Sequence, residues 1–233
     1  MDKNKDIFGI AIKAFFEKND KTDITVHSPD FEDDIIPIEY LFRDFDEMPP
    51  LEQKALELCS GKVLDAGCGA GSHSLYLQNI RNLDCRAIDT SPGAIEVAEK
   101  RGVENARCED FFELKNERFD TILMLMNGSG IIGKLKNLEN FFKHSRTLLN
   151  KDGQILLDSS DLIYLFDEEV PAEDEYYGEL KFQLSYKGME SGFFDWLYID
   201  PELLKKEAEK NGFACEIIQK GRHFDYLAVL KPL

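Results

Sequence analysis

Long apolar runs are missing from this sequence. No stretch approaches the roughly 20 residues a membrane-spanning helix needs, so a membrane protein is not expected. The residues after Met1 to Asp6 form only a short apolar stretch, broken by Lys13. A signal peptide is therefore not expected either. Cysteine is scarce and unpatterned. Cys59, Cys68, Cys85, Cys108 and Cys215 are odd in number, and no two are spaced as C-x-x-C. That argues against a disulfide framework and against a zinc site, and no metal is expected. Reduced thiols and a cytoplasmic location are the expectation. Basic residues are also short: 28 Lys and Arg stand against 45 Asp and Glu, for a net charge of -17. Such a field repels phosphate backbones and acidic lipid surfaces. Nucleic acid is not expected as a partner; a small-molecule substrate is. Internal repeats and low-complexity tracts are absent. Nothing here fixes an oligomeric state.

What is present is enough apolar material, 43% of 233 residues, for one full α/β domain with a modest insertion. Residues 5–18 carry Ile7, Phe8, Ile10, Ala11 and Phe15 at helical spacing. Residues 19–37 are polar and acidic and read as a loop or lid. A second helical region is expected from Ile38 to Cys59, interrupted at Pro49 and Pro50. Regular alternation then begins. Strands are expected at 62–65, 85–89, 106–109, 119–126 and 154–158, with helices at 72–79, 92–101 and 138–149. Ser91 followed by Pro92 opens one of these helices and Gly102 closes it. This alternation implies a parallel sheet with helices on both faces. Pro201 to Asn211 reads as a helix. Residues 213–219 and 225–230 then read as two strands, joined by a link too short for a crossover. That pair must be antiparallel. Residues 162–198 read as a hairpin insertion. The expected organisation is an N-terminal helical cap over 1–54 and a core over 55–233.

The chemistry gathers where the first core strand meets the first core helix, at Asp65-Ala66-Gly67-Cys68-Gly69-Ala70-Gly71. Glycines there let backbone approach a ligand closely, and the helix that follows directs free N–H groups at it. The spacing is G-x-G-x-G, not the G-x-G-x-x-G of dinucleotide sites. Asp65 precedes it, and an acid beside this turn repels a pyrophosphate but suits a cation. Asp65 alternatively caps the turn through backbone donors. Asp89 ends the next strand, where an acid can accept both hydroxyls of a ribose. Asp110 and Phe111 follow the third strand. They suit an adenine base, or else are a loop acid and a core ring.

With Ala87-Ile88-Asp89-Thr90-Ser91-Pro92, Cys108-Glu109-Asp110-Phe111 and Phe119-Asp120-Thr121-Ile122-Leu123, the glycine segment resembles the successive motifs of class I S-adenosylmethionine-dependent methyltransferases, closely over about residues 55–160. The resemblance implies a Rossmann-like three-layer α/β sandwich. Its seven-stranded sheet would be mostly parallel, with an antiparallel last strand. It implies S-adenosyl-L-methionine as cofactor. The methionyl side would lie near Asp65, Ala66, Gly67, Cys68, Gly69 and Gly71, the ribose at Asp89 and Thr90, the adenine at Asp110 and Phe111, and a backbone contact at Met126. Residues 1–54 and 162–198 fall outside it; in this family such regions shape the substrate site. The Asn-Pro-Pro-Tyr/Phe signature of nucleobase amino methyltransferases is absent.

Methyl transfer needs alignment more than a catalytic triad, so no catalytic residue is singled out. Candidates for substrate contact are Tyr40 and Arg43, His73 in the first turn after the glycines, Asn127, and Ser159 and Tyr164 at the end of the fifth strand. Each has a plainer role open to it: surface residue, turn former or cap. Arg43 has a further candidate partner in the cofactor's carboxylate. Two other functions remain open: a regulatory protein that binds the cofactor without turnover, and a nicotinamide-dependent oxidoreductase.

Overall fold

A computed structural model of the chain describes residues 6–166 and 176–233. In chain order it contains α1 (Ile7–Lys18), β1 (Ile24–His27), β2 (Asp34–Ile36), α2 (Pro50–Leu58), β3 (Val63–Ala66), α3 (Ser72–Asn79), β4 (Cys85–Asp89), α4 (Pro92–Arg101) and β5 (Ala106–Cys108). There follow β6 (Phe119–Met124), α5 (Leu138–Leu148), β7 (Leu149–Ser160), β8 (Glu179–Tyr186), β9 (Met189–Glu190), β10 (Phe194–Leu197), α6 (Pro201–Lys210), β11 (Phe213–Lys220) and β12 (Asp225–Pro232). The main sheet has seven strands in the order β11–β12–β7–β6–β3–β4–β5. β4 and β5 are parallel, as are β6 and β7, while β12 runs against both β7 and β11. This is the expected Rossmann-like sheet with its antiparallel final strand.

The chain divides into two compact units, each built from separated segments. One comprises Met1–Met48, Asp65–Glu113 and Lys181–Phe194; the other comprises Pro49–Leu64, Leu114–Leu180 and Asp195–Leu233.

In the first unit, the stretch expected as loop over 19–37 instead holds β1 and β2. They join β8, β9 and β10 in a second sheet. β1 pairs antiparallel with β2, placing Thr25 opposite Ile35, and with β8, placing Val26 opposite Leu184. Ile24 and Val26 are buried while Thr25 and His27 are half-buried, which is the two-residue period of a strand. The acidic residues around this short alternation hide it, and its partner β8 lies far along the chain. The long helical region expected from Ile38 to Cys59 is also corrected. Only Pro50–Leu58 is α-helical, preceded by two 3-10 turns at Ile38–Phe42 and Phe45–Glu47. Arg43 is extended, and Asp44 restarts the chain as a capping box with Glu47.

α1 is tied to α4 through one carboxylate. Asp6 Oδ1 accepts from the Gly9 amide and the Ser91 hydroxyl, both at 2.8 Å, and Oδ2 accepts from the Gly93 amide at 2.8 Å. One side chain thus satisfies donors at the starts of two helices. The helices approach so closely that a Cβ on Gly93 would lie 2.7–2.9 Å from the Gly9 backbone.

In the second unit, β7 is longer than expected and β6 shorter. β6 stops at Met124 because Met126 and Asn127 take left-handed φ values of 65° and 58°. The turn is held from β7. Asp158 Oδ2 accepts from the Met126 amide at 3.1 Å and Oδ1 from the Gly128 amide at 2.8 Å. A Cβ at Gly130 would overlap the indole of Trp196, so this turn and β10 pack without a spacing side chain.

The α1–α4 contact predicts that Gly93→Ala separates the two helices. The expected loss is about 1–3 kcal/mol of stability from overpacking, read as a lower denaturant midpoint with an unchanged slope.

Candidate functional site

The glycine turn of the first unit is built on backbone that only glycine takes easily. Gly67, Gly69 and Gly71 have φ values of 83°, 52° and 84°. The amides of Gly67 and Cys68 both donate to the Ile88 carbonyl, at 2.9 and 3.0 Å, which hooks the turn onto the end of β4. At Gly71 a Cβ would come within 2.6 Å of Val103. At Gly69 it would meet only Phe8, at 3.8 Å, so this face of the turn is open. Arg101, in the last turn of α4, donates to the Ala70 carbonyl at 2.7 Å and to the Ser72 hydroxyl at 3.2 Å.

Three carboxylates surround this turn. Asp65 is 2% exposed and accepts from the Ser74 hydroxyl at 2.6 Å. Burial pushes its pKa up, and the adjacent His73 and the Ser74 hydrogen bond only partly offset this. Asp89 accepts from the Gly69 amide at 2.9 Å and the Ser91 amide at 2.8 Å. Its pKa is also raised, first by burial, with Asp6 and Asp65 adding like charge. Asp6 is the third. The site is therefore an open glycine turn in a negative field. It suits a cationic ligand and opposes a phosphate.

The remaining sequence candidates of this unit are placed as follows. Ala66 and Cys68 are buried beneath the turn, at 2% and 5% exposure. Thr90 is exposed, and its carbonyl accepts from the Cys108 thiol. Asp110 is exposed, and its carboxylate accepts from the Phe112 amide. Phe111 is buried, edge-on to Phe112. His73, open to a reading as a helix-surface residue, is buried next to Asp65, since α3 turns this side inward. Arg43 is buried as well, its guanidinium 3.2 Å above the Tyr40 ring. Stacking on Tyr40 takes it out of the acidic surface around it. Met126, Asn127, Ser159 and Tyr164 belong to the second unit. Met126 and Asn127 form its left-handed turn. Ser159 is fully buried and structural: it shares a hydrogen bond with Ser129 and accepts from the Ile199 amide. Tyr164 is 49% exposed and stacks on Phe224.

Sequence reasoning missed Asp6 and Arg101, and it took Asp158 only as one of several polar residues at a strand end. Asp6 stands three residues before Gly9, as an N-cap does, so its role on α1 was readable. Its bonds to Ser91 and Gly93 had no sequence signal.

A Rossmann-like sheet with a glycine turn ringed by carboxylates defines a class of proteins that bind S-adenosylmethionine. The comparisons agree. A family model described as a methyltransferase domain matches residues 60–219. A SAM-dependent methyltransferase from Bacteroides fragilis, crystallised in complex with S-adenosyl-L-homocysteine, is 46% identical. That match covers 100% of this chain and 98% of that one, with a TM-score of 0.93. Streptomyces venezuelae DesVI is 14% identical over 78% of this chain and 90% of its own, with a TM-score of 0.60. The sugar N-methyltransferase KedS8 from Streptoalloteichus sp ATCC 53650 is 16% identical over 77% and 84%, with a TM-score of 0.55. The last two show the fold alone. No curated protein matches significantly. The chain belongs to the methyltransferase-domain family and is an S-adenosylmethionine-dependent methyltransferase.

The raised pKa of Asp65 carries a pH signature. A carboxyl that ionises less readily when folded costs stability as pH rises from its unfolded value, about 3.9, through the higher folded one; the cost is complete above that. Asp65→Asn keeps a partner for Ser74 and removes the charge. Its melting temperature should gain on the wild type more at about pH 8 than at about pH 4, while affinity for S-adenosylhomocysteine falls. Equal pH dependence in both proteins would show that Asp65 carries no such cost.

Proposed function

We propose that the glycine turn of the first unit is where S-adenosylmethionine sits. Asp65, Ala66, Gly67, Cys68, Gly69 and Gly71 would face its methionyl part, Asp89 and Thr90 its ribose, and Asp110 and Phe111 its adenine. The observation that carries this reading is the carboxylate ring. Asp65 and Asp89 both have raised pKa values because burial outweighs their hydrogen bonds and, at Asp65, the neighbouring His73. A ligand with a sulfonium and an ammonium supplies the remaining compensation, and the open face at Gly69 leaves room for it. Arg43, held over Tyr40, is the cation offered to the ligand's own carboxylate.

The cofactor supplies a methyl group on an electrophilic sulfonium, transferred in line to a nucleophilic atom. The chain's part is to bind and align. Asp89 fixes the Gly69 amide, Asp65 lowers the cost of placing positive charge at the turn, and His73 beside it favours the ionised carboxylate. Alignment of this kind supplies several kcal/mol without a catalytic side chain.

A small-molecule acceptor is the reading that the net charge of -17 supports, since that charge works against a phosphate backbone. Asn127 and Tyr164 are the notable polar groups offered to it. Residues 6–54, 162–166 and 176–198 would shape the acceptor side; residues 1–5 and 167–175, which the sequence reading also assigned to it, lie outside the described residues. Among the described residues no helix is long and apolar enough to cross a membrane. All five cysteines are free thiols, which supports a cytoplasmic setting.

Titration calorimetry with S-adenosylhomocysteine should show saturable one-site binding, with none for NAD. Asp89→Ala should weaken it about tenfold or more, the cost of losing charge-assisted hydrogen bonds. Unchanged affinity in a folded Asp89→Ala protein would remove the ribose assignment.

A further inference from the structure

In the first unit, the start of α3 is fastened from outside its own helix. Its N-cap is Gly71, which has no side chain to cap the first free amides. Ser72, the next residue, turns its hydroxyl to the Leu41 carbonyl at 3.2 Å. Arg101 arrives from the last turn of α4. A basic residue there ordinarily serves the carbonyls of its own helix. Arg101 instead reaches across 31 residues to the Ala70 carbonyl at 2.7 Å and across 59 to the Phe42 carbonyl, which its second terminal nitrogen meets at 3.5 Å. The first nitrogen also donates to the Ser72 hydroxyl at 3.2 Å. The guanidinium lies over the Phe42 ring, 4.9 Å from its centroid, and that ring packs on Phe15 of α1 at 4.6 Å. One planar fork therefore joins the glycine turn to the 3-10 turn at Ile38–Phe42.

The segment held in this way carries Arg43, the cation offered above to the cofactor's carboxylate. Arg43 lies between two fixings. Ser72 and Arg101 hold Leu41 and Phe42 on one side of it. On the other, Phe45 stacks on Tyr76 of α3, with centroids 4.1 Å apart and planes 6° from parallel. Both fixings lead to the start of α3 and its glycine turn. Arg43 and Asp44 between them are extended, so no helical ladder of their own sets their place. The Tyr40 ring beneath Arg43 belongs to the same 3-10 turn and moves with it.

We infer that Arg101 is a positioning residue for the carboxylate end of the cofactor: through Ser72 and Phe42 it sets where Arg43 stands relative to the glycine turn. Its terminal nitrogens face protein acceptors, so it acts through them and not on the ligand. Discrimination between a ligand with the carboxylate and one without it then requires both arginines. This rests on the cofactor reading given above.

The test titrates the full chain by calorimetry with S-adenosylmethionine and with its decarboxylated form, which keeps the adenosine, the sulfonium and the ammonium. The wild type should bind S-adenosylmethionine about tenfold or more tighter. Arg101→Gln should lower that ratio about fivefold or more, through weaker binding of S-adenosylmethionine, while the decarboxylated form stays within about twofold of its wild-type affinity. Arg101→Lys, which keeps the charge without the planar fork, should fall between the two and decides on the same terms where Arg101→Gln does not fold. Arg43→Gln should remove the same preference, and the double variant should lose no more than Arg43→Gln alone. A purely structural Arg101 would weaken both ligands alike; an unchanged ratio therefore overturns the assignment, as do additive losses in the double variant. Equal binding of both ligands by the wild type removes the carboxylate contact of Arg43 and this inference with it, and leaves the glycine turn as the cofactor site. Failure of the folded wild type to bind S-adenosylmethionine takes down the cofactor reading itself.

Discussion

A carboxylate taken out of water must find donors, and in this chain that requirement organises the site. Asp6, Asp65 and Asp89 stand around one glycine turn. Each spends its oxygens on nearby donors: amides at the starts of α1 and α4 for Asp6, the Ser74 hydroxyl for Asp65, and the amides of Gly69 and Ser91 for Asp89. These bonds fix the path of the turn, the docking of α1 and the start of α4. They leave most of the negative charge uncompensated, His73 beside Asp65 offsetting only part of it. The scaffold is thus complete in its hydrogen bonds and incomplete in its electrostatics, the condition in which a cationic ligand gains most.

The same device recurs in the second unit for a different purpose. Asp158 receives two amides from the turn after β6 and so holds Met126 in a left-handed conformation its side chain disfavours, next to Asn127, which takes it readily. Ser129, Ser159 and the Leu197 carbonyl form a buried set behind it. A single acid on β7 therefore determines where β6 stops and how the loop beyond it presents its backbone.

Much of this was legible in the sequence because the signals were local. The glycines with Asp65, the strand-end Asp89 and the Ser91-Pro92 helix start each lie within a few residues of the structure they specify. The parallel core followed from alternation, the antiparallel close from the short 220–224 link, and the count of seven strands from the family resemblance. What stayed hidden depended on distant partners. β1 and β2 carry too few residues for a pattern to outweigh their acidic surroundings, and β8 supplies the missing neighbour. Arg43 read equally as a site candidate and as one more charge among acids, whereas packing on Tyr40 buries it. Ser159 read as a site residue from its place at a strand end. Its side chain turns inward, and a two-residue period does not tell which end of an alternation faces the ligand.

The pairing of β1 with β8 also bears on how the protein is made. His27 meets Ser185 across a sequence separation of 158 residues. At ordinary synthesis rates β1 emerges from the ribosome roughly 10–30 s before its partner. During that interval Ile24 and Val26, buried in the finished protein, have only β2 beside them. Contacts of such long range also slow folding, since loop closure precedes any reward from pairing. The acidic residues that flank these two strands, which hid them from sequence reading, then have a use of their own: like charge on the nascent chain keeps a short apolar edge from finding the wrong neighbour while it waits.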